Sequence, residues 1–471
     1  MAEYWKVTHR HRPYNIIPVA FYVTLEGKIP RTPESQRTYS RYMTPALADD
    51  LRFWLREPDF SAEQRRLLEL DNNQRALVTS RTESGYRRIK GSAGSGKSLV
   101  LAARAAELIA QDKEVMVVTF NITLLHYLMD VSVRWGSGGG RTRTNVIWLN
   151  FHYWCKRVCY EAGYQEEYDN LWTANEQPSL ILNERLPVLV SEIIDNKPES
   201  VRKFDAVLVD EGQDFMPHWW NLLRKVCNTG GEMLLVADAT QDIYETAGAW
   251  TDDAMRGAGF AGPWSTLEVS YRMPKKALDY AREFAMHYLP KEDINLPKNN
   301  QPLLELEPAY LRWVQTTEQN AVDACRNEMF RFFNSEQVEE LSIAEITFLC
   351  GKKQFGLDVV AVLNKVGIRT IHTFDLDERE SRRQKLGFYM GNARVKATTL
   401  HSFKGWESRL LVVYVNDSTR LKDLALIYIG LTRLKRSIKG SALTVVSSSE
   451  ALLDYAQTWP DFENQAFCDT R

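Results

Sequence analysis

The sequence predicts an α/β chain built on two doubly wound parallel sheets, and three observations carry that expectation. Short apolar, β-branched runs at 115–119, 146–149, 206–209 and 233–237 alternate with helical patterns such as 99–109, the signature of strand–helix–strand crossovers. The alternation starts again after residue 267, with runs at 311–315, 346–350, 369–372, 395–399, 410–415 and 442–446 and helical patterns at 277–287 and 318–333. Only the first set carries a glycine-rich loop, residues 91–98, which reads Gly-Ser-Ala-Gly-Ser-Gly-Lys-Ser. Two such units with one loop predict a single ligand held in the cleft between them.

The expected organisation is an N-terminal extension over 1–62, a first α/β domain over 63–264 and a second over 265–471. A small helical insertion rich in Glu and Leu, at about 156–203, interrupts the first domain. With 471 residues, 44% hydrophobic and 25% charged, the chain is a globular protein and not a disordered one. A net charge of −2 excludes little, because a nucleic-acid track needs only local basic charge. The six cysteines include no Cys-x-x-Cys pair, and Cys155 and Cys159, one helical turn apart, have no neighbouring His pair; reduced thiols are expected, not zinc or disulfides. No signal-like N-terminus and no apolar run of about 20 residues is found, so a cytoplasmic protein without membrane contact is expected. The extension mixes Lys6, Arg10, Arg12, Arg37 and Arg41 with Tyr39 and Tyr42, which suits a docking surface as well as a solvated tail. Residues 136–143 read as a flexible Gly/Ser loop ending in Arg-Thr-Arg, either a contact for a nucleic-acid strand or a loose connection.

The loop and one acidic pair define the chemistry. Gly91, Ser92, Ala93, Gly94, Ser95, Gly96, Lys97 and Ser98 fit the Gly-x-x-x-x-Gly-Lys-Ser pattern, in which backbone N–H groups wrap phosphates and the lysine reaches the β and γ positions. Ser98 is the expected Mg²⁺ ligand. Asp210 and Glu211 follow the strand-like 206–209, where α/β sheets place their ligands; Asp210 would serve the metal and Glu211 would orient and deprotonate the attacking water. ATP and Mg²⁺ are therefore the expected cofactors.

With Gln241, Arg272, Lys404 and Arg433 added in this order and spacing, residues of about 60–450 resemble superfamily 1 helicases of the UvrD/Rep type. The resemblance implies two RecA-like domains and assigns roles by position. Gln74, in Leu-Asp-Asn-Asn-Gln, matches the glutamine that reads adenine, and Tyr271 the residue packed on the adenine. Gln241 would sense the γ-phosphate, Arg272 and Arg433 would act as arginine fingers from the second domain, and Glu407 would meet the ribose. Asn121, Thr123, Phe151, His152, Tyr244, Thr399, His401 and Lys404 fall in the motifs that touch single-stranded nucleic acid.

Departures from the family pattern are Glu245 where an arginine is usual, Ser270 for asparagine, and Ser408 for an aromatic residue. Only about 125 residues separate Arg272 from Thr398, too few for the large duplex-engaging insertion of processive members. The run 210–215 followed by Trp219-Trp220, with Phe120-Asn121, is most similar to helicases carrying a nuclease-related NERD domain, which 62 residues cannot hold. The resemblance thus implies a translocase or helicase on single-stranded DNA, the motor of a bacterial repair or anti-phage system with a separate nuclease partner. An RNA motor, or an ATP-controlled switch for a nuclease, are the competing expectations.

Overall fold

The strands form because their residues are apolar on both faces. In β2 (Val115–Thr119), Val115 and Val117 pack into one core cluster while Met116 and Val118 pack into another. Burial on both sides is what a parallel sheet covered by helices on each face requires. A computed structural model describes residues 66–92, 94–173, 177–238, 257–270, 273–290, 308–333, 342–416 and 420–466.

The first sheet has six strands, in the order β3-β2-β4-β5-β1-β6, with every neighbouring pair parallel. These are β1 (Tyr86–Gly91), β2, β3 (Val146–Asn150), β4 (Phe204–Asp210), β5 (Cys227–Ala237) and β6 (Ser265–Leu267). The second has seven, in the order β13-β7-β12-β11-β8-β10-β9, again all parallel. They are β7 (Ala309–Gln315), β8 (Ile346–Cys350), β9 (Thr370–His372), β10 (Val395–Thr399), β11 (Leu410–Val415), β12 (Ser441–Ser447) and β13 (Asp461–Asn464). The architecture is thus the expected pair of parallel α/β sheets.

The division between the sheets differs from the expected one by a few residues. Ser265–Leu267 pairs with β1, Gly91 opposite Leu267, so the chain leaves the first sheet only after 267 and not after 264. A short edge strand gives no periodicity of its own. The insertion is helical as expected, with helices Phe151–Glu161, Gln165–Leu171 and Leu186–Asn196. Residues 136–143 are not loose. A Cβ at Gly138 would sit 2.1 Å from the Ala106 carbonyl oxygen, Arg141 pairs with Asp112 at 2.8 Å, and Arg143 pairs with Asp130 at 2.5 Å. Small residues there let the chain lie against the helix Lys97–Ala110.

That helix is fixed at its far end too. Arg104 is buried and holds Glu232 of β5 through two bonds of 2.7 and 2.6 Å, with a third to the Val78 carbonyl. A bidentate, fully satisfied pair of this kind orients the helix against the sheet. Its N-terminus, where the glycine-rich loop enters, is thereby set.

The two sheets share one apolar cluster. Leu124, Tyr127 and Leu128 from the helix Leu124–Ser132 meet Phe388, Leu400 and Trp406 of the second unit, with the Tyr127 and Trp406 rings 5.3 Å apart. Gly405, at φ +86°, lets its backbone press on Leu124, where a Cβ would come within 2.5 Å. The C-terminal ends of β4 and β5 lie beside this contact.

Candidate nucleotide site

The loop 91–98 joins β1 to the helix Lys97–Ala110, whose N-cap is Gly96 with no side-chain cap. Its first N–H groups therefore keep their need for an acceptor, a ready anion site. Gly94 and Gly96 hold φ of +74° and +86°, which only glycine adopts without strain, and a Cβ on Gly91 would meet Ser95 Oγ at 2.4 Å. Two buried hydroxyls in the loop, Ser92 Oγ and Ser95 Oγ, make no hydrogen bond. The loop is thus a narrow cradle with unspent donors, which fits phosphate.

Lys97 Nζ donates to the carbonyls of its own loop, Gly91 at 2.7 Å and Ser92 at 2.8 Å, and pairs with Asp238 at 3.2 Å. Asp238 ends β5 and is buried; it was not singled out from sequence, although its place beside the end of β4 is the signal that marks it. Ser98 Oγ lies 3.1 Å from Asp210 Oδ2, so the hydroxyl and carboxylate expected to hold a divalent cation are brought together. Burial, and then the charge of Glu211, push the Asp210 pKa up to about 7, which a cation at this position would reverse.

Glu211 has φ +55° and ψ 47°, a left-handed conformation that costs a non-glycine residue about 1–2 kcal/mol. Burial opposes its charge, but Lys404, Lys97 and the Gln213 amide outweigh that and hold its carboxyl below the ordinary value. Gln213 bridges two of these groups: its Nε2 donates to Glu211 and its Oε1 accepts from the Asp238 N–H at 2.8 Å. This is a second residue that the sequence did not single out.

The second unit closes on this site. Lys404 is 2% exposed and bonds both oxygens of Asp214 at 2.8 Å, with Glu211 Oε2 at 3.6 Å. Arg433 is buried, its guanidinium held by the carbonyls of Ile429 at 3.0 Å and Trp406 at 3.4 Å and by Thr432 Oγ1 at 3.1 Å. Burial lowers its pKa, opposed by the charges of Glu211, Asp238 and Glu407. Arg433 thus faces the same acidic groups as Lys97. Replacing Lys404 with methionine is expected to take from the buried Asp214 its lysine partner and cost about 3–5 kcal/mol of stability. Adding Asp214→Asn should restore most of it. Thermal unfolding of the single and double variants checks this, and an unchanged midpoint in the single variant would show that the bridge does not hold the units together.

Gln74 lies under the loop, its Oε1 accepting from the Asp71 N–H and its Nε2 donating to the Ser95 carbonyl at 3.0 Å. Glu407 is half-buried within the electrostatic reach of Arg433. Gln241, Tyr244, Tyr271, Arg272 and Ala93 lie outside the described residues.

The expected strand contacts among the described residues are buried or half-buried. In this structure the side chains of Asn121, Thr123 and Lys404 meet each other's units instead of solvent. Asn121 Nδ2 donates to the carbonyls of Ser402 and Lys404 at 3.2 and 3.0 Å, and Thr123 Oγ1 donates to Ser402 at 2.6 Å. Phe151 is fully buried, stacked on Trp219 at 4.5 Å. His152 sits edge-on to Phe120, Phe151 and Trp219, and burial pushes its pKa down to about 4, so it carries no charge for a phosphate at neutral pH. Thr399 is buried and caps the turn Leu400–Phe403 through the Ser402 N–H. His401 is half-buried, its pKa lowered to about 4 by burial and by Lys422, Lys404 and Lys385. For Asn121, Thr123 and Lys404 the physical reason is shared, because each follows a C-terminal strand end and the two sheets turn those ends toward one another. Phe151 and His152 are instead covered by Phe120 and Trp219 of their own unit.

A family model described as an AAA domain matches residues 74–247, which span the loop, Asp210, Glu211 and five of the six strands of the first sheet. No curated protein matches the chain. With the cradle and the acidic pair, the match supports a P-loop nucleotide-binding domain over this part of the chain, similar to those of superfamily 1 helicases. Among the described residues, no helix is long and apolar enough to cross a membrane.

Proposed function

We propose that the chain is an ATP-driven motor that translocates along single-stranded DNA. The observation that carries this reading is the approach of Lys404 and Arg433, from the second unit, to Glu211 and Asp238 at the end of the phosphate loop's sheet. In the proposed cycle, Lys97 exchanges Asp238 for the phosphates, and Ser98 and Asp210 would hold Mg²⁺, which would supply charge neutralisation at the phosphates. Glu211, kept ionised by its cationic neighbours, accepts the proton of the attacking water. Arg433, with Arg272, is satisfied by the γ-phosphate only while the units are closed. Loss of that charge on hydrolysis lets them part, and a strand lying across both units moves with them. Gln74, Tyr271, Gln241 and Glu407 are the proposed contacts to base, γ-phosphate and ribose. A cytoplasmic setting and a separate nuclease partner belong to the same proposal, by analogy with nuclease–helicases.

One observation favours a second reading. The bonds from Asn121 and Thr123 to Ser402 and Lys404 occupy positions where a strand was expected, as they would in a switch whose nucleotide state governs a partner protein. ATPase rates with single-stranded DNA, with single-stranded RNA and with neither decide between them. The motor reading predicts a low basal rate that rises most with DNA, and DNA binding that weakens steeply with salt. A rate unmoved by saturating DNA or RNA and raised by a partner protein would replace the motor with the switch.

A further inference from the structure

Asn121, Thr123 and Lys404 are taken up by the joint between the units, while a set of exposed cations and aromatic rings lies beside it. On the helix Phe151–Glu161, Tyr153, Lys156 and Tyr160 recur at spacings of three and four and therefore share one face. Tyr153 is 45% and Tyr160 40% exposed, unusual for rings on a helix whose opposite face, Trp154, Cys155, Val158 and Cys159, is fully engaged in the core. Lys156 Nζ lies over both the Tyr160 ring, at 4.9 Å, and the Tyr168 ring, at 5.2 Å. Tyr168 meets Tyr160 edge-on at 5.7 Å, and the half-open Trp172 ring follows 6.1 Å further on. The result is a run of adjacent rings held by a cation.

The second unit completes it. Arg382, on the helix Glu378–Gly387 between β9 and β10, stacks its guanidinium over Tyr153 at 5.1 Å. Arg379, three residues before Arg382, and Arg383, next to it, are exposed on the same helix. The end of that helix is tied to the first unit, where His126 Nε2 meets the Leu386 carbonyl at 2.8 Å. This helix brings Arg382 to the rim of the joint.

We propose that this stripe, from Arg382 over Tyr153 to Tyr160 and Tyr168, is the track on which single-stranded nucleic acid binds. The proposal rests on the strand-translocation reading above and says where the strand lies. Exposed rings offer π-faces on which any base stacks, and arginine and lysine beside them take the phosphates, the combination that sequence-tolerant strand binding uses. Tyr153 and Tyr160 are separated by about 10 Å of helix, long enough for successive bases. Glu161, Glu166 and Glu167 flank the far end and would repel a backbone there, which sets the limit of the track near Tyr168. Because one end belongs to each unit, a strand on it is strained or released when they move.

The test is binding of labelled oligo-dT to the full chain by fluorescence anisotropy across a salt series. The double variant Tyr153→Ala, Tyr160→Ala is expected to lose ten-fold or more in affinity, while Tyr153→Phe, Tyr160→Phe keeps it, because phenylalanine stacks without the hydroxyl. Arg382→Gln with Arg383→Gln should shrink the salt slope by about 0.7 for each phosphate contact removed. All these side chains are exposed or half-exposed and lie outside the nucleotide site, so the basal ATPase rate should not change. An alanine double variant that binds oligo-dT as tightly as the wild type overturns the track alone. Labelled poly-aspartate, run alongside, probes an acidic protein as occupant: variants that lose its binding while keeping that of oligo-dT overturn the track in favour of an acidic protein. A wild-type chain that binds no oligo-dT at low salt overturns the translocation reading as well.

Discussion

Replacing Lys97 with alanine is expected to abolish ATP hydrolysis and to weaken nucleotide binding. The lysine is the only cation of the loop itself, and it now neutralises Asp238 and two loop carbonyls, all groups that a nucleotide would leave to be rearranged. Glu211→Gln is expected to abolish turnover for a different reason. The amide keeps the size and the bond from the Gln213 side but cannot take a proton, so ATP should bind and remain uncleaved. Losses of about 10³-fold or more are the scale for removing such a group. Steady-state rates alongside equilibrium nucleotide binding separate the two variants: binding lost in the first, kept in the second. Undiminished turnover in Glu211→Gln would remove Glu211 from the reaction.

Arg433 supplies the second large effect. Its replacement by alanine should lower turnover by about 10³-fold or more while ATP binding changes little, since an arginine finger acts on charge that develops during transfer. Alanine also strips three acceptors of their donor, so Arg433→Lys is the necessary companion: it keeps the charge and loses the fork that reaches Ile429, Trp406 and Thr432 together. A lysine variant that folds like the wild type and is nearly as impaired as the alanine variant is the expected result. A lysine variant with full activity would mean that only charge at this position matters.

Much of this was legible in the sequence because it is local. The loop 91–98 and the pair Asp210-Glu211 are contiguous runs whose geometry follows from a strand end and a helix start. Strands such as β2, β8 and β11 fell at their observed ends because they are buried on both faces and read as largely apolar runs. β1 did not, since Tyr-Arg-Arg-Ile-Lys-Gly looks like surface. Arg87 escapes the sheet by donating to the Leu77 carbonyl at 2.6 Å, and Arg88 by lying over the Trp264 ring at 5.1 Å, so charged tips hide a central strand. β13 was hidden in the same way, its Asp461 and Glu463 both meeting Arg312 of β7.

What the sequence could not show is which strand ends face one another. Lys404 was assigned to a nucleic-acid strand from its motif, yet its partner, Asp214, lies 190 residues away and belongs to the other sheet. Asp238 and Gln213 gain meaning only once Lys97 and Glu211 are placed beside them. The stripe on 151–161 was equally invisible, because the cation over Tyr153 is Arg382, in a helix that sequence alone gives no reason to bring there.

The central claim is that the two sheets form one nucleotide cleft, closed by charge. A crystal structure of the chain with Mg²⁺ and a non-hydrolysable ATP analogue tests it most directly. The account predicts that Lys97 Nζ leaves Asp238 for the phosphates and that the Arg433 guanidinium lies within hydrogen-bond distance of the γ-phosphate, with Arg272 on the same side. A nucleotide bound in the loop with Arg433 still on Ile429 and Trp406, and no group of the second unit reaching the γ-phosphate, would contradict it.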